Sequence, residues 1–396
     1  MAKATLEEAR TWGARIIEEN GALRATAVSV GMALVAAEAD GLRGHGLSRL
    51  ATYVGMLKSG KIDGRALPAA THPRSGVLAI DAACGFAYPA IDLALAELPA
   101  IAKQNGLALA AIRRSNHAGA LGLAVEKLAD LGLVALMLAN TPEAIAPWGG
   151  KRAVFGTNPI AFAAPLTGRP PVVIDLALSK VARGNIVAAK QKGEAIPIGW
   201  ALDADGRATT DPAAALGGTM VAMGDAKGAA LALMVEVMAG ALVGAHLGFE
   251  ASSFLDEQGA PPETGQIIIA IDPQGMGGAD FAERMTTLAA AIEAQEGARL
   301  PGSRRLALRS AASASGIEIG DALIAQFGPI RVSDRLWIYP NPTTGVFQVR
   351  LYHDPNGYYS KRAVYIYNSN GQLMTSRELP RLIEISAPAW PSRFAT

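Results

Sequence analysis

Apolar residues follow two periodicities along the chain, and together these predict a mixture of helices and strands. Residues 1–65 carry apolar positions at helical spacing, and Thr5 followed by Glu8 forms a capping box at the start of the first helix. Helical spacing returns in "GFAYPAIDLALAELPAIAKQNG", "GAALALMVEVMAGALVGAHLG" and "DFAERMTTLAAAIEAQEG". Short runs rich in Val, Ile, Leu and Ala predict strands at 76–81, 107–112, 133–138, 158–165, 170–176 and 265–273. Because these runs are apolar throughout, we predict an α/β or α+β fold with a mostly buried sheet.

The pattern changes near Phe327, where a small β-rich appendage is predicted to begin. Six of the eight tyrosines lie beyond this position. The segments "WIYPNPTTGVFQVRLY" and "AVYIYNSNGQLM" alternate apolar and polar residues around Pro-Asn-Pro and Asn-Gly turns, which is typical of β-hairpins. We therefore predict a main domain, residues 1–327, with a helical part at about 1–65, and a separate tail, residues 328–396.

Composition excludes several classes of partner. The chain has 36 basic and 35 acidic residues and no basic stripe, so nucleic acid is not expected. The single cysteine, Cys84, rules out an internal disulfide framework and fits a reducing cytoplasm. The first twenty residues contain four Glu and no long apolar core, which does not resemble a signal peptide. Glu236 lies near the centre of the most apolar run, 228–248, and predicts a helix buried in protein, since an acidic group in lipid costs about 2.5–3.5 kcal/mol.

One segment combines residue types that suit carboxylate chemistry. In "DGLRGHGLSRLATYVGMLKSG", His45, Arg49 and Tyr53 are four residues apart and are predicted to face one small volume. Arg matches a carboxylate geometrically, and a neutral His can act as acid or base. The alternative is a capping histidine followed by a solvated arginine.

Three other segments are candidates for ligand contacts. His117, in "SNHAGALG", follows a predicted strand at the end where α/β sheets bind ligands, although an ordinary strand-to-helix turn, taken alone, explains it better. Lys227 follows Asp225 at a helix start, and the turn Pro301–Arg305 is basic; both suit anions, and both also suit ordinary surface positions. The sequence contains no G-x-G-x-x-G after a strand, no P-loop, no H-E-x-x-H and no G-x-S-x-G, and it predicts no metal site. The residues by themselves predict a carboxylate-binding pocket and name no reaction.

Ordered segments over about residues 3–327 resemble the malate/L-lactate dehydrogenase family, which lacks a Rossmann fold. They are "DGLRGHGLSRLATYVGMLKSGKID", "SNHAGALG", "ANTPEAIAPWGGKRAVFGTNPIAFAAP", "VVIDLALSKVARGNI", "IPIGWALDADGRATTDPAAAL", "GDAKGAALALMVEVMAGALVGA" and "LPGSRRLA". The resemblance implies hydride transfer between NAD or NADP and C2 of a 2-oxo or 2-hydroxy acid of the malate, lactate or sulfolactate type, in a cytoplasmic homodimer without membrane contact. The family also includes ureidoglycolate dehydrogenases and Δ1-piperideine/Δ1-pyrroline-2-carboxylate reductases, so a cyclic imino acid is the alternative substrate.

The resemblance also implies roles for individual residues. His45 is expected to donate or accept the proton, Arg49 to hold the substrate carboxylate, and Tyr53 and Thr157 to contact the substrate. His117 matches a position that is the acid/base group in some members and a cofactor contact in others. The implied cofactor contacts are His117, Ala118, Gly119, Ala120, Leu121, Thr141, Asp175, Leu176, Ala177, Lys227, Pro301, Gly302, Ser303, Arg304 and Arg305.

Two positions depart from the family pattern. Gly44 stands where many members have serine, and Asn185 stands where the cyclic-imine reductases have an aspartate that completes a relay with the histidine. Without those partners His45 is expected to lose a hydrogen bond and a charge that would raise its pKa. We therefore favour an open-chain 2-hydroxy-acid dehydrogenase over an imine reductase, and a catalytically decayed carboxylate-binding protein is the alternative from another class.

The tail resembles something unrelated to this family. Residues 337–376 are similar to the β-sandwich sorting domain of proteins exported by the Bacteroidetes type IX system, although "RLIEISAPAWPSRFAT" departs from the usual ending. Such domains act after export by an N-terminal signal, which is not predicted here. We therefore interpret the tail as a fused or chimeric appendage, partly disordered and without a part in catalysis; a β-rich interaction module is the alternative.

Overall fold

The computed structural model describes residues 2–277, 280–330, 363–367 and 373–378. It divides into two compact units, residues 1–330 and 331–396. The described helices are α1 (Leu6–Glu19), α2 (Arg24–Ala39), α3 (Leu50–Ser59), α4 (Ala87–Asn105), α5 (Gly122–Asp130), α6 (Arg183–Lys192), α7 (Pro212–Leu216), α8 (Ala226–Val235), α9 (Phe281–Glu293), α10 (Ser303–Ser315) and α11 (Asp321–Phe327). The described strands are β1 (Ala2–Ala4), β2 (Ala69–Arg74), β3 (Val77–Asp81), β4 (Leu107–Ser115), β5 (Val134–Ala139), β6 (Ile160–Leu166), β7 (Arg169–Leu176), β8 (Ala201–Leu202), β9 (Ala208–Thr209), β10 (Thr219–Met220), β11 (Thr264–Ile271), β12 (Ile317–Ile319), β13 (Ala363–Tyr367) and β14 (Leu373–Glu378). Short 3₁₀ turns lie at Arg43–His45, Leu47–Arg49 and Gln274–Met276, and a π-helical turn, Glu236–Ala241, continues α8.

A seven-stranded sheet forms the centre of the first unit, in the order β2-β3-β4-β11-β5-β6-β7. Only β3 and β4 are parallel within it; the other neighbouring pairs are antiparallel. Strand β11 is buried over most of its length because it lies between β4 and β5 with apolar layers on both faces.

Three apolar cores hold the elements of this unit together. Helices α4 and α5 pack on one face of the sheet, and α8 packs on the other. The third core joins α1, α2 and α3 around Trp12 and Leu34, and it includes β12, which pairs with β1. The predicted capping box is present, since the Thr5 hydroxyl accepts from the backbone N–H of Glu8 and the Glu8 carboxylate accepts from that of Thr5. A helical layer is thus fixed against the sheet and carries the segment with His45 and Arg49.

The periodicities predicted the main elements of this unit and missed several small ones. All six predicted strands are confirmed, as β3, β4, β5, β6, β7 and β11. Strand β2 was not predicted, because its six residues, AATHPR, are mostly exposed and do not alternate between apolar and polar. The short sheet β10-β8-β9 was missed because two-residue strands carry no periodic signal. In the tail, β13 and β14 pair antiparallel, as in the predicted hairpin, whereas the hairpin predicted at 337–352 lies outside the described residues.

The helix predicted at 228–248 is present and buries Glu236 in protein, but it is shorter than predicted and is buried on one face only. The α-helix ends at Val235, and the π-helical turn brings Glu236 beneath the sheet edge. One face is open to solvent, where Leu231, Leu233, Met234 and Val237 are 38–50% exposed. No helix in the described part of the chain is long and apolar enough to cross a membrane.

Candidate active site

The segment from Arg43 to Tyr53 begins with two 3₁₀ turns that join α2 to α3. Gly46 separates the turns and lies against Glu38, so that a Cβ at this position would collide with the Glu38 side chain. The Glu38 carboxylate accepts from the backbone N–H of Leu47 at 3.0 Å. This packing fixes the start of α3 and turns His45 and Tyr53 toward the end of β4.

His45, His117, Tyr53 and Tyr88 form one hydrogen-bonded chain. Nδ1 of His45 lies 3.2 Å from Nε2 of His117, and Nδ1 of His117 lies 2.7 Å from the Tyr53 hydroxyl. The Tyr53 hydroxyl lies 2.9 Å from that of Tyr88. The residues come from the turn before α3, the loop after β4, α3 itself and the start of α4. The imidazole of His117 is therefore held between His45 and Tyr53, and Tyr88 supports Tyr53 from behind.

Burial keeps all four groups of this chain neutral near pH 7. It lowers the pKa of His45 to about 4, and the positive charge of Arg49 contributes further. The pKa of His117 is held well below its usual value by burial, then by Arg49 and His45. Burial likewise raises the pKa values of Tyr53 and Tyr88. Each group therefore carries one titratable proton.

Those four protons and three hydrogen bonds favour one donor-to-acceptor direction along the row of four side chains. Tyr88 is buried, and Tyr53 is the hydrogen-bond partner of its hydroxyl in the described structure. If the bonds ran toward Tyr88, its proton would be buried without an acceptor, which is costly. In the opposite direction Tyr88 donates to Tyr53, Tyr53 donates to His117, and His117 donates through Nε2 to His45. The remaining proton then lies on Nε2 of His45, which is only partly buried.

Arg49 lies beside the two histidines with part of its guanidinium unused. Nε donates to the carbonyl of Gly44 at 2.8 Å, and Nη1 donates to the carbonyl of Phe254 at 3.1 Å. No carboxylate lies within ion-pair distance of Arg49 in the segments described. Two of five N–H groups are therefore bound to neutral carbonyls, and the others can hold an anion.

Most of the other predicted site residues gather at one edge of the central sheet. The register pairs Ser115 with Thr264, Ala139 with Gln266, and Leu138 and Leu176 with Ile160. The ends of β4, β5 and β7 and the starts of β6 and β11 therefore share this edge. It carries the predicted residues His117, Ala118, Gly119, Ala120, Leu121, Thr141, Thr157, Asp175, Leu176 and Ala177.

A buried carboxylate organises part of this edge. Glu236 accepts from Nδ2 of Asn140 at 3.1 Å, from Nδ2 of Asn158 at 2.8 Å and from the backbone N–H of Gly248 at 2.7 Å. Oδ1 of Asn158 in turn accepts from the backbone N–H of Thr141. The Thr141 hydroxyl accepts from the backbone N–H of Thr157. The two predicted threonines are thus held in one network, which explains why an acidic residue interrupts the apolar run 228–248.

Asp175 has an environment unlike that of a surface carboxylate. One oxygen accepts from the backbone N–H of Gly122 at 2.7 Å, at the start of α5. The surrounding protein raises the pKa of Asp175 to about 6, against the opposing effects of that N–H and of Arg305. The residue nevertheless remains open to solvent, so it lies in a concave, accessible place and can accept hydrogen bonds from a ligand.

The two turns predicted to bind anions, the one before α8 and the one at Pro301–Arg305, lie close to β7 and the residues that follow it. The N–H of Met223, just before α8, donates to the carbonyl of Leu178 at 2.8 Å. At the start of α10, a Cβ on Gly302 would lie 3.3 Å from the carbonyl of Val173. Lys227 and Arg304 are exposed in the first turns of these helices. Pro301, Gly302 and Ser303 form the turn that precedes Arg304.

Arg305 differs from Arg304 because its guanidinium is already bound. It donates to Asp40 at 3.0 Å and to Glu126 at 2.8 and 2.9 Å. Arg309, one turn further along α10, donates to the same carboxylates at 2.6–2.8 Å. We name Asp40, Glu126, Arg305 and Arg309 the ion cluster. The contacts within the ion cluster explain why an arginine lies at position 305. They do not bear on the predicted role of Arg305 with the cofactor, which stays a prediction.

The structure brings His45, Arg49 and His117 together as the sequence predicted, but it changes the interpretation of Tyr53. The Tyr53 hydroxyl is bonded to His117 and Tyr88, and the residue is 1% exposed, so it supports His117 from behind, and its predicted contact with a substrate stays a prediction. Tyr88 and Phe254 were missed. Phe254 places the edge of its ring against His117, with centroids 5.4 Å apart. A signal for Tyr88 existed, because Tyr53 and Tyr88 are the two tyrosines before residue 328.

The two departures from the family pattern also have a structural description. Gly44 supplies the carbonyl that receives Nε of Arg49, and a Cβ there would meet nothing within 4 Å. Asn185 is exposed on α6. The partner of His45 in the described structure is His117, so the expected loss of a hydrogen bond at His45 is offset. Among the described residues, no group of His, Cys, Asp and Glu could hold a metal ion.

Known proteins resemble the first unit in sequence and in fold. The family model for malate/L-lactate dehydrogenase matches residues 4–327. A (2R)-3-sulfolactate dehydrogenase (NADP(+)) from Chromohalobacter salexigens is 46% identical over 329 residues, 83% of this chain and 98% of that protein. A Δ1-pyrroline-2-carboxylate/Δ1-piperideine-2-carboxylate reductase from Pseudomonas aeruginosa is 39% identical, over 82% of this chain and 97% of that protein. The crystal structure of Δ1-piperideine-2-carboxylate reductase from Pseudomonas syringae superposes with a TM-score of 0.79 at 36% identity, covering 84% of this chain and all of that one.

Proposed function

Because the chain belongs to the malate/L-lactate dehydrogenase family, we propose that it transfers a hydride between a nicotinamide dinucleotide and C2 of a 2-oxo acid, yielding a 2-hydroxy acid. The observation that carries this proposal is the pairing of Arg49, a cation without a carboxylate partner among the described residues, with the neutral imidazole of His45. A carboxylate bound by Arg49 would place its neighbouring C2 oxygen next to a proton donor.

The residues present fit a nicotinamide dinucleotide. Lys227 and Arg304 are exposed cations without an ion-pair partner in the described segments, and helix N-termini favour phosphate groups. Asp175 adds an accessible acceptor at the same sheet edge. When bound, the dinucleotide supplies or receives the hydride. NADP is named for the sulfolactate dehydrogenase relative, and Arg304 is the side chain of this chain that would read a 2′-phosphate.

The protein's own groups account for binding and proton transfer. The free N–H groups of Arg49 hold the carboxylate of the 2-oxo acid. The bound carboxylate offsets the charge of Arg49, which otherwise lowers the pKa of His45, so that His45 can take up a second proton from solvent when the acid is bound. The imidazolium then donates its Nε2 proton to the C2 oxygen as negative charge develops there and returns to the neutral form. His117 orients the ring of the neutral form through the hydrogen bond between its Nε2 and Nδ1 of His45.

We favour an open-chain substrate of the sulfolactate, malate or lactate type. The sulfolactate dehydrogenase relative is 46% identical, against 39% for the pyrroline-carboxylate reductase relative. In addition, Asn185 replaces the aspartate that the cyclic-imine enzymes are expected to have. Reduction of a cyclic imino acid is the second candidate, supported by the fold likeness to the piperideine-carboxylate reductase structure.

The test is oxidation of NADPH and NADH by the full chain with sulfopyruvate, oxaloacetate, pyruvate and Δ1-piperideine-2-carboxylate. We expect turnover of an open-chain acid, about 10²- to 10⁴-fold slower in His45→Ala. Arg49→Ala should raise KM for the acid far more than KM for the dinucleotide. Turnover of the cyclic imine alone would establish the second candidate, and dinucleotide binding without any turnover would show a decayed enzyme.

We further propose that the chain forms a homodimer through the apolar face of α8. Leu231, Leu233, Met234 and Val237 form this face, and contiguous exposed apolar residues of this size mark interaction sites. Sedimentation analysis of the wild type and of Leu233→Glu should show a dimer and a monomer respectively. A monomeric wild type would contradict the proposal.

A cytoplasmic location is proposed on the basis of the unpaired Cys84. The resemblance of residues 337–376 to a sorting domain has no support in the comparisons, and the family model ends at residue 327. We propose that the tail has no part in catalysis, and deletion of residues 331–396 should leave kcat and KM unchanged. A change in either constant would contradict this.

A further inference from the structure

A buried lysine lies behind the residues that hold Arg49 and His117. Lys61 follows the C-terminal Gly60 of α3, and its side chain is 0% exposed. Its ammonium donates to three backbone carbonyls, those of Ser253 at 2.7 Å, Asp256 at 3.1 Å and Gln258 at 2.5 Å. The Asp256 carboxylate lies 3.7 Å away. One side chain thus binds a loop of six residues, 253–258, at three points.

This loop has little other support from regular structure. It forms neither helix nor strand, and its own bonds are short-range turns, from Leu255 to the Ser253 hydroxyl and from Gln258 to the Asp256 carboxylate. Three carbonyls converge on one point only because a cation lies there, since carbonyl dipoles pointing at each other repel. The ammonium therefore determines the shape of the loop.

The same loop touches the two central groups of the site. The carbonyl of Phe254 accepts from Nη1 of Arg49 at 3.1 Å, and the ring of Phe254 lies edge-on against His117. Helix α3 therefore contacts the loop from both ends, through Arg49 at its start and Lys61 just after its end. A displacement of the loop would move one of the two acceptors that orient Arg49 and uncover one face of His117.

We propose that Lys61 is a positioning residue for catalysis: by holding loop 253–258 it sets the orientation of Arg49 and the enclosure of His117. The assignment deepens the proposed function, because it concerns the same carboxylate site. Lys61 touches neither histidine nor Arg49 in the described contacts, so it acts through Phe254.

The first test needs no substrate. Hydrogen exchange should be measured on the full chain for the wild type, Lys61→Met and Lys58→Met, the last being an exposed lysine of the same helix. Lys61→Met leaves three carbonyls without their donor, so we expect exchange over 253–258 to rise about tenfold or more, with little change in the central sheet. Lys58→Met should match the wild type. Unchanged exchange in Lys61→Met would overturn the proposal even if the enzyme proved inactive on every substrate.

The second test separates positioning from a general loss of structure. In Lys61→Met we expect KM for the 2-oxo acid to rise roughly five- to tenfold and KM for the dinucleotide to stay within about twofold, since Arg49 contacts only the acid. Lys61→Arg, which keeps the charge, should recover part of the loss. If Lys61→Met does not fold, Phe254→Gly provides the same readout, because it removes the ring from His117 and loosens the loop while Lys61 stays in place. Equal changes in both KM values would indicate a merely structural role and overturn the proposal.

Discussion

Two polar clusters adjoin the segment that joins α2 to α3, one through Asp40 and one through His45, and they are built on opposite electrostatic principles. In the chain of His45, His117, Tyr53 and Tyr88, burial favours the uncharged form of every group. In the ion cluster every group is charged, and two carboxylates are matched by two guanidinium groups. The first arrangement leaves protons to be given or taken. In the second arrangement the positive and negative charges neutralise each other, and the ion pairs fix α10 to α2 and α5.

The pKa shifts express the same contrast. Burial alone would raise the pKa of Glu126, but the hydrogen bonds from Arg305 and Arg309 hold it below its usual value. The pKa of Arg309 is raised, chiefly by its hydrogen bond to Asp40. No comparable partner compensates a charge on His45, and Arg49 opposes it further. The neutral cluster can therefore serve a bound acid because Arg49, beside it, has a charge that no carboxylate of the described residues compensates.

The largest expected effect on stability comes from breaking the ion cluster. Arg309→Met leaves Asp40, whose side chain is 0% exposed, and Glu126 with one guanidinium between them, so we expect the free energy of unfolding to fall by about 3–5 kcal/mol. Arg304→Met on the same helix is the matched control, and as an exposed substitution it should change stability by roughly 0.5 kcal/mol or less. Urea unfolding measures both.

The activity of the same two variants sharpens the comparison. The kcat of folded Arg309→Met should equal that of the wild type, because the ion cluster makes no contact with His45 or Arg49 in the described structure. Arg304→Met should weaken NADPH binding and spare NADH. If Arg309→Met lowered the free energy of unfolding no more than Arg304→Met does, the ion cluster would not be the structural element that its geometry indicates.

Acid titration should separate the clusters by pH. The folded-state pKa of His45, about 4, lies below its ordinary value of 6.5, so on acidification the unfolded chain binds the proton first. Stability should therefore fall as the pH drops from about 6.5 toward 4, by at most about 1.4 kcal/mol per pH unit for each histidine. Glu126 has a lowered pKa, so its contribution is complete above 4.5 and is lost as the pH falls through its folded-state value.

Two variants show which residue causes the loss of stability in each pH range. His45→Gln should reduce the slope of stability against pH between 6.5 and 4, measured by urea unfolding at each pH. Glu126→Gln should leave that slope unchanged and flatten the loss at lower pH. A His45→Gln slope identical to that of the wild type would mean that His45 is not held neutral by burial.

The same contrast explains how far the sequence alone could predict this site. His45, Arg49 and His117 were predictable, because helical spacing and the end of a strand bring unlike chemical groups to one place. The periodicities also predicted the six long strands. The ion pairs of Arg305 could not be predicted, because a basic pair at a helix start looks the same in sequence whether or not carboxylates from the end of α2 and from α5 lie against it. Phe254 and Lys61 could not be found, since each acts through a contact 192 to 205 residues away in sequence, and Tyr88 was missed although it is one of the two tyrosines before residue 328.

The smallest expected effects come from shortening the neutral chain at its buried end. Tyr53→Phe removes the donor to Nδ1 of His117, and Tyr88→Phe removes only the group behind it. One neutral hydrogen bond contributes about 0.5–1.5 kcal/mol, so we expect kcat to fall roughly three- to tenfold in Tyr53→Phe and less in Tyr88→Phe. Equal losses would mean that Tyr88 is as important to turnover as the direct partner of His117.

The direction of the chain can be observed without turnover. In ¹⁵N-histidine-labelled protein, long-range proton–nitrogen correlation distinguishes a protonated Nε2 from a protonated Nδ1. Because a proton on Tyr88 would have no acceptor in the described structure, both His45 and His117 should carry theirs on Nε2, and Tyr88→Phe should preserve this. A proton on Nδ1 of His117 would reverse all three bonds. Nε2 of His45 would then be a free base in the resting protein, suited to oxidising a hydroxy acid without prior loss of a proton, and the neutral chain would have to end at an acceptor beyond Tyr88.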